Sequence, residues 1–361
     1  MKISGLGYAL SSCVTAAVLA SCGGTQPLIG APGATPQSPV AVQPAAPVQN
    51  KNLPGYELRP PGFLPAASLS VKAIGSLGDG KSWVDPAAKN GDLLYVADAG
   101  TNNVTVYSYP KGKLVGTLTG FDFPYAECED QSGDVFIANY DGQNIVEYAH
   151  GGSKIIATLS DSGYYPIGCS ADPSTGNLAV VNYYSSPSVG GNIAIYQGAQ
   201  GNPTIYTDPN LYSYLFCGYD NKGDLFVDGQ STSSGGFALA QLPSGRSTFK
   251  GITLNQSIGF PGDIQWTGKD LAVGDQNPYS NEIYQFKISG TKGKKIGATP
   301  LSGPYDVVWF WIQGSSVMAN GDNESETNMV DIWNYPAGGS ATQTITKNVS
   351  YPEGITVSVS K

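Results

Sequence analysis

Short apolar runs, each led by a turn and ended by Asp, Asn or Gly, recur six times along this chain at steps close to 45 residues. They occupy 91–98, 133–139, 176–182, 223–229, 269–275 and 315–320, so the closing residues Asp98, Asn139, Asn182, Gly229, Asp275 and Asn320 stand 41, 43, 47, 46 and 45 apart. A fixed period of this length, carried by strands and turns, is the mark of a propeller or a related repeat array. A proline-led segment precedes the run at Pro124, Pro166, Pro261 and Pro304, and two stretches of alternating polarity follow it, as at 104–107 and 114–118. Four short strands joined by Gly, Asn, Asp and Pro turns make one blade. No stretch sustains an apolar period of 3.6, so almost no helix is expected and the fold class is all-β.

The end of the chain bears on closure. Pro352-Glu353-Gly354-Ile355-Thr356-Val357-Ser358-Val359 repeats the proline-led first strand but has no successors, whereas the first unit has only a poor first strand around Ser82-Trp83-Val84. The economical arrangement is a six-bladed β-propeller over 71–361, closed by its C-terminal strand and preceded by a disordered tether. Closure removes an open sheet edge that would invite aggregation, and a monomer is expected.

Pro166-Ile167-Gly168, Asp172, Gly176-Asn177 and Asn182 follow one another as Pro-x-Gly, apolar strand, Asp, Gly-Asn, apolar strand, Asn. This order resembles the NHL and gluconolactonase-type six-bladed propellers. The resemblance implies the blade architecture. It also implies a metal held by acids on the lead-in segments, where Pro352-Glu353-Gly354 and Pro304-Tyr305-Asp306 look like the glutamate and aspartate positions. The Pro-Asn-Gly of those enzymes is absent, and Pro166-Ile167-Gly168 and Pro261-Gly262-Asp263 stand in comparable places.

Residues 1–21 read as a lipoprotein signal peptide. Lys2 is followed by an uncharged, largely apolar stretch ending in Leu19-Ala20-Ser21-Cys22, which resembles a bacterial lipobox with Cys22 as the lipidated residue. From 22 to about 70 the chain is rich in Pro, Ala and Gln, and ten of its 25 prolines fall between Pro27 and Pro65. Such a segment cannot bury a core and should act as an extended tether. The expected location is a bacterial cell envelope, lipid-anchored and exported. No second apolar run of 18 residues is present, so no span of the bilayer is expected. A net charge of −9 without a basic block argues against nucleic acid.

Catalytic constellations are sparse. His150 is the sole histidine, and neither a Gly-x-Ser-x-Gly elbow nor a phosphate-binding Gly-x-x-x-x-Gly-Lys motif occurs. Acids recur on the lead-in segments: Asp263, Asp306 and Glu353 could converge and hold Ca²⁺ or another divalent cation through oxygen. The loop after each repeated run lengthens from the third unit onward, and additions on one face are where repeat proteins place binding surfaces. Tyr183, Tyr184 and Tyr279 lie in those loops and, with Asp306, form the candidate ligand face, since aromatic rings with hydroxyls suit sugars or peptides. Beyond Cys22 and the leader, Cys128, Cys169 and Cys217 lie on first strands of adjacent units; buried, inert thiols are expected, because a disulfide between blades demands close Cα approach.

The expectation is therefore a membrane-anchored binding or scaffold module for carbohydrate, peptide or envelope-protein ligands. The alternative is a metal-dependent lactonase or related hydrolase.

Overall fold

The structure is a computed structural model that describes residues 81–361 apart from 187–188, 278–279, 304–306 and 322–327. The signal peptide, the tether and Cys22 lie outside the described residues, as do Tyr279 and Asp306. What is described is all-β with a propeller-like arrangement of sheets; its helical content is two 3-10 turns, Ala88–Asn90 and Gln197–Ala199. Among the described residues no helix is long and apolar enough to cross a membrane.

Each sheet is an antiparallel meander whose first strand is proline-led in most cases. Pro124–Glu129, Val135–Asn139, Asn144–Tyr148 and Ile155–Ser160 form one; Pro166–Ala171, Leu178–Ser186, Val189–Tyr196 and Thr204–Tyr206 form the next. Two further meanders, starting at Leu211–Tyr219 and Pro261–Trp266, join into one eight-stranded sheet. The join is a parallel pairing of Lys250–Leu254 with Lys292–Pro300 (Thr253 opposite Lys292). Val307–Gln313 opens the last four-stranded sheet.

The final strand, Pro352–Ser358, lies antiparallel to Leu93–Asp98 with Leu93 opposite Ser358 and Asp98 opposite Pro352. It takes the first-strand position of the first sheet, as the sequence pattern predicts. The segment read as a poor first strand, Trp83–Val84, instead pairs at the outer edge with Lys113–Leu118. The first strands pack in a cycle, each against the next, and Val307–Gln313 packs on Pro352–Ser358, which packs on Pro124–Glu129.

The repeated polar residues are structural. Asp130 Oδ1 accepts from the amides of Ser132 (2.8 Å) and Asp134 (2.9 Å), and Asp220 does the same for Lys222 (2.8 Å) and Asp224 (2.9 Å). Each carboxylate ties a tight turn whose glycine, Gly133 or Gly223, has a φ of 83° or 79°, a conformation in which a Cβ is strained. At the opposite end of the second strand the recurring acid pins the lead-in loop. Asp98 accepts from Ser350 N (2.7 Å) and Tyr351 N (3.0 Å), and Asp275 from Gly259 N (3.0 Å) and Phe260 N (3.2 Å). The strands between are apolar and buried, Val135, Ile137, Leu178 and Val180 being 0% exposed. These acids thus close backbone donors that burial would otherwise leave costly.

Candidate functional site

The first strands end around a central cavity of about 320 Å³, lined by the second halves of those strands and the turns after them. Its wall includes Glu127, Glu129, Cys169, Phe216, Asp263, Trp266, Trp309 and Trp311. Because each first strand runs from its lead-in loop toward this end, the cavity lies away from the lengthened loops that the sequence singles out.

The carboxyls here are deeply buried, and that burial dominates their chemistry. Asp263 accepts from Ile264 N (2.8 Å) and from Phe310 N of the neighbouring strand (3.3 Å), yet desolvation pushes it up to about 8. Glu127 is also pushed to about 8 by burial, with the facing Ala97 amide offsetting part of it. Glu129 reaches about 7, again through burial, against the amide of Val359, which donates to Oε2 at 3.1 Å. Asp228 accepts from Phe216 N (3.1 Å) and lies, like the buried Cys217, close enough to Asp263 for like charge to raise it beyond what burial does. Burial therefore favours the protonated form of Glu127 and Asp263 at neutral pH, and aromatic rings share the wall with them. Trp309 meets Phe216 edge-on at 4.8 Å and Tyr125 at 5.5 Å between ring centroids.

This set makes stability depend on pH in a definite sense. Each folded-state value lies above the unfolded one, so between about pH 4.5 and 8 the native state keeps protons that the unfolded chain has lost. Stability is full at the acid end and falls as pH rises through that window. Scanning calorimetry should give a melting temperature on the order of 10 °C higher at pH 5 than at pH 8.5. Glu127→Gln should flatten part of the slope; a higher melting temperature at pH 8.5 would contradict the burial of these acids.

Of the residues that the sequence places at a metal, Asp263 and Glu353 turn to opposite flanks of Val307–Gln313. Asp263 faces the Phe310 amide, while Glu353 Oε2 accepts from Trp309 Nε1 at 3.3 Å. Asp306 is outside the described residues. Among the described residues no group of three His, Cys, Asp or Glu side chains is placed to hold a metal ion. Of the ligand-face tyrosines, Tyr183 is 8% exposed and belongs to the core, a correction to its reading as a presented ring. Tyr184 contributes its backbone to Leu178–Ser186. His150 bridges the closing strand, with Nδ1 2.6 Å from Ser358 Oγ and Nε2 3.2 Å from Gly91 O.

The cysteines require a second correction. Cys128 and Cys169 form a disulfide with Cα atoms 5.7 Å apart, joining first strands of neighbouring sheets. Inert thiols are expected from the usual distance between blades, but near the axis the strands converge to bonding distance. Cys217 stays a free, buried thiol. What the sequence misses is the cavity itself; the alternation Glu127-Cys128-Glu129 on an otherwise apolar first strand is the signal that could have marked it.

No family model and no curated protein sequence matches the chain. Solved structures match the fold. A chain of a nidogen–laminin complex superposes with a TM-score of 0.60 at 12% identity, covering 75% of this chain and all of that one. A protein of unknown function from Bacteroides caccae gives 0.56 at 10% identity, again over 75% of this chain and all of its own. A functionally unknown protein from Desulfotomaculum acetoxidans DSM 771 gives 0.50 at 9% identity, over 74% of this chain and 99% of its own. Identities this low speak for the fold alone, a β-propeller-like arrangement that hosts many unrelated activities.

Proposed function

We propose that the chain is a ligand-binding module, built as a six-bladed ring, that is held at a bacterial cell envelope by a lipid on Cys22 and a proline-rich tether. The observation that carries the binding reading is the central cavity of about 320 Å³, in which aromatic rings and buried carboxyls share one wall. Pockets of this volume with a few convergent polar groups are where small ligands, or one sugar or side chain of a larger one, bind. A nidogen–laminin complex shows a fold of this kind within a protein assembly, which accords with a scaffold role. The lactonase alternative needs Asp263, Asp306 and Glu353 to converge, and the opposed directions of Asp263 and Glu353 favour binding over it.

Two measurements test the reading. Cys22→Ala should move the chain from the membrane to the soluble fraction and remove incorporation of labelled fatty acid; an unchanged distribution removes the anchor. In a thermal-shift panel of monosaccharides, short peptides and organic ions, at least one compound should raise the melting temperature of the full chain. That rise should vanish in Gln131→Trp/Asn221→Trp, narrowed at the cavity's turns. Compounds that stabilise both forms equally would place the site elsewhere.

A further inference from the structure

The outer rim of the ring carries one open sheet edge of full strand length. Ile155–Ser160 is the last strand of its sheet, and no strand lies beyond it among the described residues. The other outer edges are shorter or covered. Trp83–Val84 has two residues, Thr204–Tyr206 and Gln343–Ile345 have three each, and Lys250–Leu254 is paired with Lys292–Pro300. Natural edges are commonly blocked by a charge or a proline, and Ile155-Ile156-Ala157-Thr158-Leu159-Ser160 contains neither. Ile155 and Ile156 are instead the most exposed large apolar side chains among the described residues, at 56% and 53%. A free row of backbone groups beside two bared isoleucines is a surface that an added strand completes.

The point where the chain enters the fold says which strand. The described residues begin at Lys81, and Ser82 Oγ accepts from Thr119 N at 2.9 Å and lies within reach of the Tyr148 hydroxyl. Tyr148 belongs to the strand next to the open edge, and its register partner on that edge is Ile155. The chain before Lys81 therefore arrives beside the start of Ile155–Ser160. A short way upstream, outside the described residues, Leu69, Val71 and Ala73 alternate with Ser70 and Lys72, and Ile74 follows. Pro65 precedes this stretch and Gly75, Gly78 and Gly80 follow it, which is a strand pattern bounded by turn residues. Residues 75–81 can span about 23 Å when extended, ample for the step from Ser82 past Tyr148 to the far side of the edge strand.

We propose that residues 69–74 add to Ile155–Ser160 as a fifth, antiparallel strand and cover Ile155 and Ile156. The antiparallel sense follows from the entry point, because the C-terminal end of the segment is the end tied close to Ile155. A segment of the same chain has the advantage over a second molecule, since a short linker sets an effective concentration on the order of millimolar. This pairing depends on neither the lipid nor the cavity proposed above. It changes how the ring is held: Trp83–Val84 grips its sheet through two residues, whereas a six-residue edge spreads a pull from the N-terminal side along a whole strand.

Amide hydrogen exchange of the full chain tests the pairing. In the parent, residues 70–74 and 155–160 should both exchange at least about tenfold more slowly than a free chain. Val71→Pro/Lys72→Pro should speed both sets by a similar factor and leave Asn144–Tyr148 unchanged, because one of two adjacent residues must donate to the ladder. Ile155→Thr/Ile156→Thr, which keeps strand propensity and removes the apolar contact, should release 70–74 in the same way. Free-chain exchange at 70–74 in the parent overturns the pairing. Protection of 155–160 that survives Val71→Pro/Lys72→Pro overturns it too; if that protection grows with protein concentration and sedimentation gives a dimer, a second copy occupies the edge instead.

Discussion

Removing residues 352–361 is expected to abolish the cooperative thermal transition of the folded domain. All seven residues of Pro352–Ser358 are buried, and the strand pairs along the whole of Leu93–Asp98. Its loss uncovers Ile355 and Val357, each worth about 1.5–3 kcal/mol of burial. It also strips partners from residues distant in sequence. Ser358 Oγ donates to Gly133 O (2.5 Å), Val359 N donates to Glu129 Oε2 (3.1 Å), and Ser360 N donates to Asp92 (3.0 Å). Together these exceed what a domain with a net stability of about 5–15 kcal/mol tolerates. Circular dichroism should show a broad, non-cooperative loss of structure, or the product should aggregate through the bared strand edge. A truncated chain melting within about 5 °C of the parent would refute the cyclic packing of first strands. Val357→Asp, which buries a charge in the same strand, should act in the same direction.

Breaking the Cys128–Cys169 disulfide should lower stability by about 4 kcal/mol, the chain-entropy value for closing a loop of their 41-residue separation. For a domain of this size that amounts to a fall of roughly 10 °C in melting temperature. The measurement compares the parent, the Cys128→Ser/Cys169→Ser pair, and the parent under dithiothreitol. Reductant should shift the parent and leave the double variant unchanged, while Cys217→Ala, which touches the free thiol, should respond to reductant as the parent does. Identical melting of oxidised and reduced parent would mean that the cross-link carries no stability. A bond of this kind forms in oxidising compartments, which agrees with the export proposed from the N-terminal segment.

The architecture was open to sequence reasoning because its determinants are local. A glycine with positive φ two or three residues after an Asp, as in Asp130–Gly133 and Asp220–Gly223, writes a turn into the chain whatever surrounds it. Asp98, Asn139 and Asp275, at the ends of their second strands, likewise mark where a lead-in loop is tied. The site was less legible because its determinants come from across the ring. Glu127 is buried by Gly354, more than two hundred residues away, and Cys128 meets Cys169 only because neighbouring first strands converge near the axis. Nothing around Glu127 in sequence announces that its carboxyl will be buried against the far end of the chain. Tyr183 fails for the opposite reason. An aromatic at the end of a long loop reads as presented to ligand, yet its place in the strand Leu178–Ser186 turns the ring into the core.

The sheet that contains Leu93–Asp98 has a consequence for the order of events at the ribosome. Its innermost strand is made of residues 352–358, so the earliest sheet in the chain waits, one edge bare, until almost everything else has been synthesised. Vectorial folding can complete the intervening meanders one by one, but not the first. A nascent chain of this design stays threadable for longer than one whose sheets are each contiguous, and the waiting edge of Leu93–Asp98 is the surface that a holding chaperone would shield.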